Sequence, residues 1–115
     1  MTNQVVMQMA KELKGASKKN NAPIWSRLAE LALKPSSARR TINIGQIDKF
    51  VKDNDVIVVP GKVLGTGYLS HKITLCSFSI STSGAKKILD SGGKILNFTD
   101  LIKSHPTGKG VIIIG

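Results

Sequence analysis

Cysteine, acidic side chains, aromatic residues and long apolar runs are all scarce in this chain, and each shortage excludes a class of protein. The single cysteine, Cys76, excludes an internal disulfide framework and fits a reducing compartment such as the cytoplasm. No apolar run approaches the ~20 residues of a membrane-spanning helix, and no segment pairs a basic face with bulky aromatics as membrane-surface helices do. Residues 1–15 have no basic residue before their apolar ones and contain Glu12, so we expect no secretory signal there.

Residue patterns typical of catalytic centres are scarce as well. His71 and His105 have no Cys or Glu nearby at metal-ligand spacing, and Cys76 lies in an apolar segment with no adjoining base. The serines do not occur in the G-x-S-x-G pattern of a nucleophile elbow. We therefore expect no enzymatic activity, no catalytic residue, no metal and no cofactor.

Basic residues are what the chain has in excess, with 17 Lys and Arg against 7 Asp and Glu, a formal net charge of +10. The excess is spread along the chain, since residues 1–55 hold ten basic and five acidic side chains and residues 56–115 hold seven and two. Positive charge at this density repels itself unless a polyanion offsets it, and nucleic acid is the usual polyanion. The composition therefore favours a cytoplasmic nucleic-acid-binding protein.

Apolar residues recur at helical spacing in the first third of the chain and predict two helices. The first is predicted to end at Gly15 and the run SKKNN. The second is predicted to be capped by Asn21, to carry Pro23 in its first turn and to stop at Pro35.

The apolar residues over 42–51 predict a short extended piece followed by one or two helical turns. Short β-branched runs then predict four strands in the remainder of the chain, the last of them buried. They cover residues 56–59, 73–80, 94–97 and 111–114. The apolar positions of the second strand switch phase, which indicates a bulge or burial of both faces. Helices are predicted over residues 84–91, with Leu89 facing inward and Gly92 as a left-handed stop, and around Phe98 with Thr99 as a cap.

These elements predict a mixed α/β fold, with two N-terminal helices followed by short strands that alternate with short helices. The length favours one RNA-binding domain over residues 1–115. Residues 1–20 are expected to form a loosely attached helix.

The glycine loop of residues 61–67 invites a nucleotide-binding interpretation, which its spacing does not support. A phosphate-binding P-loop requires G-x-x-x-x-G-K-[ST], but Val56 stands five residues before Gly61 and Val63 follows Lys62. The dinucleotide pattern lacks its third glycine, because Ser70 occupies that position. A tight turn with positive φ at one of the last two glycines remains, and it is compatible with a backbone that approaches RNA phosphates.

A second basic segment, residues 34–40, places adjacent arginines beside serine hydroxyls, a combination suited to phosphate oxygens. Five aromatic residues are too few, and too separate from the basic ones, for a platform that stacks single-stranded bases. Folded, phosphate-rich RNA is therefore the expected partner.

Four segments resemble the eighteen-e family of large-subunit ribosomal proteins: WSRLAELALKP at 25–35, RRTINIG at 39–45, VVPGKVLGTGYL at 58–69 and SGAKKILDSGG at 83–93. The short chain resembles the archaeal form, and the family is similar to the C-terminal half of bacterial ribosomal protein fifteen. The resemblance implies an irregular α/β fold with a β-β-α arrangement, binding to large-subunit rRNA, no enzymatic activity and no cofactor.

Charge, motifs and resemblance together predict a structural constituent of the large ribosomal subunit that binds and stabilises its rRNA. The expected partners are that rRNA and neighbouring ribosomal proteins, with no membrane, no small-molecule substrate and no intrinsic homo-oligomer. Two alternatives stay open, a small phosphate- or nucleotide-binding enzyme using the glycine loop and a free RNA-binding accessory factor. The candidate RNA contacts are Arg27, Lys34, Ser36, Ser37, Arg39, Arg40, Asn43, Lys62, Thr66, His71, Lys72, Lys86 and Lys109.

Overall fold

The computed structural model describes residues 4–33 and 41–114, with side chains from residue 7 onward. Five of the candidate contacts lie outside these residues: Lys34, Ser36, Ser37, Arg39 and Arg40. The described chain forms two compact units, one helical and one built on a sheet. None of its helices is long and apolar enough to span a bilayer.

The helical unit consists of α1 (Gln4–Asn20), α2 (Pro23–Leu33) and α5 (Phe98–Ser104). Its buried side chains are Ala10, Leu13, Ala16, Ala22, Trp25, Leu28, Ala29, Ala32, Phe98 and Leu101. Trp25 Nε1 donates a hydrogen bond to the carbonyl oxygen of Pro106 over 2.7 Å, so the one polar atom of this buried ring has a partner. Thr99 lies inside α5 rather than capping it, and its hydroxyl donates to Glu12 Oε1 over 2.6 Å.

The first helix passes through Gly15, which was predicted to help end it, and ends at Asn20, within the predicted run SKKNN. One glycine costs a helix only about 1 kcal/mol, and the burial of Leu13 and Ala16 on either side outweighs that loss. Asn21 was predicted to cap α2, and that prediction is wrong. Its φ of +50° makes it the left-handed residue that follows α1.

The second unit is a sheet of parallel strands, consisting of β1 (Thr41–Asn43), β2 (Val56–Leu64), β3 (Thr74–Ile80), β4 (Lys94–Ile95) and β5 (Val111–Ile113). On one side β2 pairs with β3, which in turn pairs with β4. On the other side the N-terminal half of β2 pairs with β5 and its C-terminal half with β1. The predicted mixed α/β fold with two leading helices is confirmed.

One apolar cluster forms the core of this unit. It contains Ile42, Ile44, Ile47, Val51, Ile57, Val59, Val63, Leu69, Ile73, Leu75 and Ile88. Ile80 packs against the same cluster as Leu75, although residues five apart point to opposite faces of a regular strand. The adjacent residues Leu75 and Cys76 of β3 are both fully buried, so β3 buries both of its faces there, which is one of the two predicted alternatives. The irregular register lies in β2, where the three steps from Val59 to Lys62 pair with two steps of β3. This irregularity absorbs Pro60 and lets β2 continue to Leu64, beyond the predicted end.

Two helices flank the sheet, α3 (Ile44–Asp48) and α4 (Thr82–Asp90). Ser81 caps α4, since its hydroxyl accepts from the backbone N–H of Gly84 over 3.1 Å. Gly92 has φ +87°, which confirms the predicted left-handed stop.

Two predictions about burial are wrong. Leu89 of α4 is 57% exposed, because a helix this short buries only one narrow face. Ile112 and Ile113 of β5 are also exposed, since this strand has only one pairing partner among the described residues and lies at the edge of the sheet.

Candidate nucleic-acid interface

Three of the candidate lysines lie exposed on the sheet unit. Lys62 belongs to β2, Lys72 directly precedes β3 and Lys86 belongs to α4. No ion pair engages any of them among the described residues, although the backbone N–H of Lys72 donates to Asp53 Oδ1 over 3.2 Å. Exposed cations without counter-ions create a positive potential that favours a polyanionic partner.

Because β2 continues to Leu64, the glycine loop consists of Gly65, Thr66 and Gly67 only. Thr66 lies at its tip, between β2 and the segment that leads to β3. The carbonyl oxygen of Thr66 accepts from the backbone N–H of Gly45 over 3.0 Å. Gly67 has φ +100°, and a Cβ added there would lie 2.6 Å from the Cα of Gly45. The predicted positive φ is therefore confirmed at Gly67.

Gly65 serves a different purpose, since its φ is not positive. A Cβ at Gly65 would lie 2.7 Å from the backbone N of Gly84, at the start of α4. Both positions require glycine, because a side chain would collide with the start of α3 or of α4. The loop therefore lies between the N-terminal ends of these two helices.

Lys87 is the functional residue that the sequence analysis missed. Its ammonium group donates to the carbonyl oxygens of Gly65 and Gly67, the second over 2.5 Å. The adjacent Lys86 is exposed, whereas Lys87 is half-buried. Helical periodicity carried the signal, because Lys87 lies three residues after Gly84, on the side of α4 where that glycine is buried.

His71 faces a carboxylate rather than open solvent. Asp48 Oδ1 is 2.7 Å from His71 Nδ1 and accepts from the backbone N–H of Ser70 over 2.8 Å. The Ser70 backbone hydrogen bond, helped by His71 and the Ser70 hydroxyl and opposed by partial burial, lowers the pKa of Asp48. Because Nδ1 is engaged, any contact of His71 with RNA must use Nε2.

Ser70, His71 and Asp48 do not form a catalytic triad. The Ser70 hydroxyl donates to the carboxylate of Asp48 over 2.9 Å and lies 3.3 Å from Nδ1, the same imidazole nitrogen that faces Asp48. A triad needs the carboxylate on one imidazole nitrogen and the hydroxyl on the other. The arrangement instead fastens the end of α3 to the chain that enters β3.

Other predicted contacts are more scattered. Asn43 precedes α3, and its backbone N–H donates to Gln46 Oε1 over 2.9 Å, which places Asn43 two residues before the glycine that contacts the loop. Arg27 and Lys109 are exposed on the helical unit, and Arg27 Nη1 is 3.7 Å from Glu30 Oε2, an exposed pair that contributes little.

Two observations bear on catalytic chemistry in the described part of the chain. No group of three potential metal ligands occurs there. Burial raises the pKa of the Cys76 thiol to about 12, so this sulfur stays protonated and is a poor nucleophile at neutral pH.

Comparison with known proteins gives a consistent family. The model of the family described as "Ribosomal protein 60S L18 and 50S L18e" matches residues 4–115. Large ribosomal subunit protein eL18 of Pyrobaculum aerophilum is 37% identical over 113 residues, which cover 98% of this chain and 93% of that protein.

Two further archaeal relatives carry the same name. The Sulfurisphaera tokodaii protein is 47% identical over 90% of this chain and 87% of its own length. The Archaeoglobus fulgidus protein is 39% identical over 83% of this chain and 81% of its own. The family predicted from the four sequence segments is therefore confirmed, and the chain belongs to the family of ribosomal proteins 60S L18 and 50S L18e.

Proposed function

We propose that this protein is a structural, non-enzymatic constituent of the large ribosomal subunit in the cytoplasm, where it binds and stabilises large-subunit rRNA. Its partners are that rRNA and the ribosomal proteins next to it. The mechanism is neutralisation of phosphates by basic side chains held on a rigid apolar scaffold.

The observation that carries the proposal is the set of exposed lysines on the sheet unit, Lys62, Lys72 and Lys86. No acidic residue occurs between Asp55 and Asp90, and no described carboxylate forms an ion pair with any of the three ammonium groups. The relatives named as large ribosomal subunit proteins support an RNA-rich setting in which phosphates supply that charge.

The enzyme alternative is less well supported. A nucleotide-binding glycine loop opens a helix whose N-terminus faces the phosphates, whereas this loop follows β2 and leads toward β3. We expect ATP, GTP and NAD to give no saturable increase in melting temperature beyond that of a salt of equal ionic strength. A saturable, base-selective increase would favour the enzyme.

The direct test removes the three lysines together, as Lys62→Gln, Lys72→Gln and Lys86→Gln. If each contacts one phosphate and contributes roughly 1 kcal/mol, affinity for a large-subunit rRNA transcript falls by about 100-fold. The melting temperature should stay unchanged, because all three side chains are exposed.

The matched control removes the same charge from the helical unit, as Lys11→Gln, Lys14→Gln and Lys103→Gln, all exposed. We expect it to retain most of the wild-type affinity. Equal losses in the two triple variants would show that net charge alone, and not this surface, binds RNA. Co-sedimentation with the large subunit through a moderate salt wash separates a constituent from a free accessory factor, which would be washed off.

A further inference from the structure

We propose that the backbone N–H groups of Thr66 and Tyr68 bind one phosphate group of RNA, and that Lys87 is the positioning residue that prepares them. The inference rests on the proposed function and assigns a specific binding site within it. It also separates Lys87 from the exposed lysines, since Lys87 acts through the loop and not by contact with RNA.

Three successive carbonyl groups of the loop have hydrogen-bond partners. Those of Gly65 and Gly67 accept from Lys87 Nζ, and that of Thr66 accepts from Gly45 N–H over 3.0 Å. The acceptors of this loop are therefore engaged by the protein itself.

Peptide geometry fixes the direction of the N–H groups that share peptides with these carbonyls. Among the described residues no peptide bond is cis, and a trans peptide directs its C=O and its N–H to opposite sides. The Gly65 carbonyl shares a peptide with the N–H of Thr66, and the Gly67 carbonyl shares one with the N–H of Tyr68. Because both carbonyls point at the Lys87 ammonium, both N–H groups point away from it.

The N–H groups of Thr66 and Tyr68 belong to exposed residues and have no partner among the described residues. Thr66, Gly67 and Tyr68 are all exposed, and Tyr68 is 77% so. Within the described chain no hydrogen bond uses the N–H of Thr66 or of Tyr68. The Thr66 hydroxyl adds a further donor on the same exposed residue.

The charge of Lys87 acts on these N–H groups through the peptides. A cation on the carbonyl side of a peptide polarises it and strengthens the N–H on the other side as a donor. Lys87 does this to two peptides at once, and no described acidic side chain pairs with its ammonium. Two loop N–H groups backed by one positive charge favour an anion, and in RNA that anion is phosphate.

The test begins with the wild-type protein and inorganic phosphate, followed by two-dimensional amide NMR, with sodium chloride of equal ionic strength as reference. We expect saturable downfield shifts of the Thr66 and Tyr68 amide protons. Lys87→Met should abolish these shifts. It should also weaken binding to the rRNA transcript by about tenfold, which is the effect expected when one charge-assisted hydrogen bond is lost. Lys87→Arg, which retains charge and donors, should recover part of both.

Lys86→Met is the matched control, one residue away on the same helix. It should leave the phosphate-induced shifts intact. Wild-type amides at Thr66 and Tyr68 that phosphate does not move would overturn the inference, as would unchanged shifts in Lys87→Met. If wild-type protein fails to bind rRNA at all, the proposed function fails instead, because the phosphate titration is read without RNA.

Discussion

Replacing Gly67 by alanine should destabilise the protein strongly, because Gly67 combines a positive φ with close backbone neighbours. The loss should exceed that at a glycine with positive φ and no such neighbours. The residue has φ +100°, where a side chain costs about 1–2 kcal/mol. The new Cβ would also lie 2.6 Å from the Cα and 2.7 Å from the N of Gly45, both backbone atoms of a packed helix start. Overpacking of this kind costs a further ~1–3 kcal/mol, so the total is about 2–5 kcal/mol.

Two other glycines separate these contributions. Gly110 has φ +80° with nothing within 4 Å of an added Cβ, so Gly110→Ala should carry the conformational cost alone. Gly15 lies exposed inside α1 with the same open space, and Gly15→Ala should stabilise the protein by about 0.5–1 kcal/mol. Urea unfolding of the three variants measures all three values. A Gly67→Ala loss no larger than that of Gly110→Ala would refute the argument that the loop is fixed by contact with Gly45.

Three further predictions concern charge and chemistry elsewhere. Arg39→Ala combined with Arg40→Ala should weaken rRNA binding by a few kcal/mol at most without changing the melting temperature. An unchanged affinity would show that neither arginine contacts RNA. Because hydrogen bonds from Ser70 and His71 hold the pKa of Asp48 below its usual value, Asp48 stabilises the fold above about pH 4, and that stabilisation is lost as pH falls through the lower, folded-state pKa. Asp48→Asn should therefore reduce the free energy of unfolding at pH 7, and this reduction should shrink as the pH falls below about 4, which chemical denaturation over a series of pH values measures. Cys76, buried and with its pKa raised to about 12, should react with a thiol reagent at pH 8 only at the rate of unfolding, and fast labelling of native protein would contradict its place in β3.

The class of fold was predictable because local patterns determine it. Helical spacing in the first third and β-branched runs afterwards indicated the right elements in the right order. The pairing of β2 with both β1 and β5 along one side was not predictable, since strand order depends on contacts between residues far apart in sequence. The exposure of Leu89 and Ile113 has the same origin, because an apolar pattern does not show which neighbours are present to cover it.

The candidate site was predicted in part for similar reasons. A glycine between two strands signals a turn, and Gly67 indeed has positive φ. The two adjacent lysines of α4 cannot be told apart by residue type. In the structure Lys86 is exposed, whereas Lys87 donates hydrogen bonds to the loop about twenty residues before it. The helical position of Lys87, three residues after Gly84, separates it from Lys86, but only the tertiary structure shows that its ammonium group meets the carbonyl groups of the loop. The individual RNA contacts, including those in residues 34–40, stay predictions.

The dependence of rRNA affinity on salt tests the central claim most directly. If on the order of six phosphates are neutralised, the logarithm of the binding constant should fall by about 4–5 units per tenfold increase in salt concentration. The Lys62, Lys72 and Lys86 triple variant should reduce that slope by roughly 2–3 units, at ~0.7–0.9 for each phosphate that is no longer neutralised. A wild-type slope near zero, or an identical slope in the triple variant, would contradict binding by charge neutralisation at this surface.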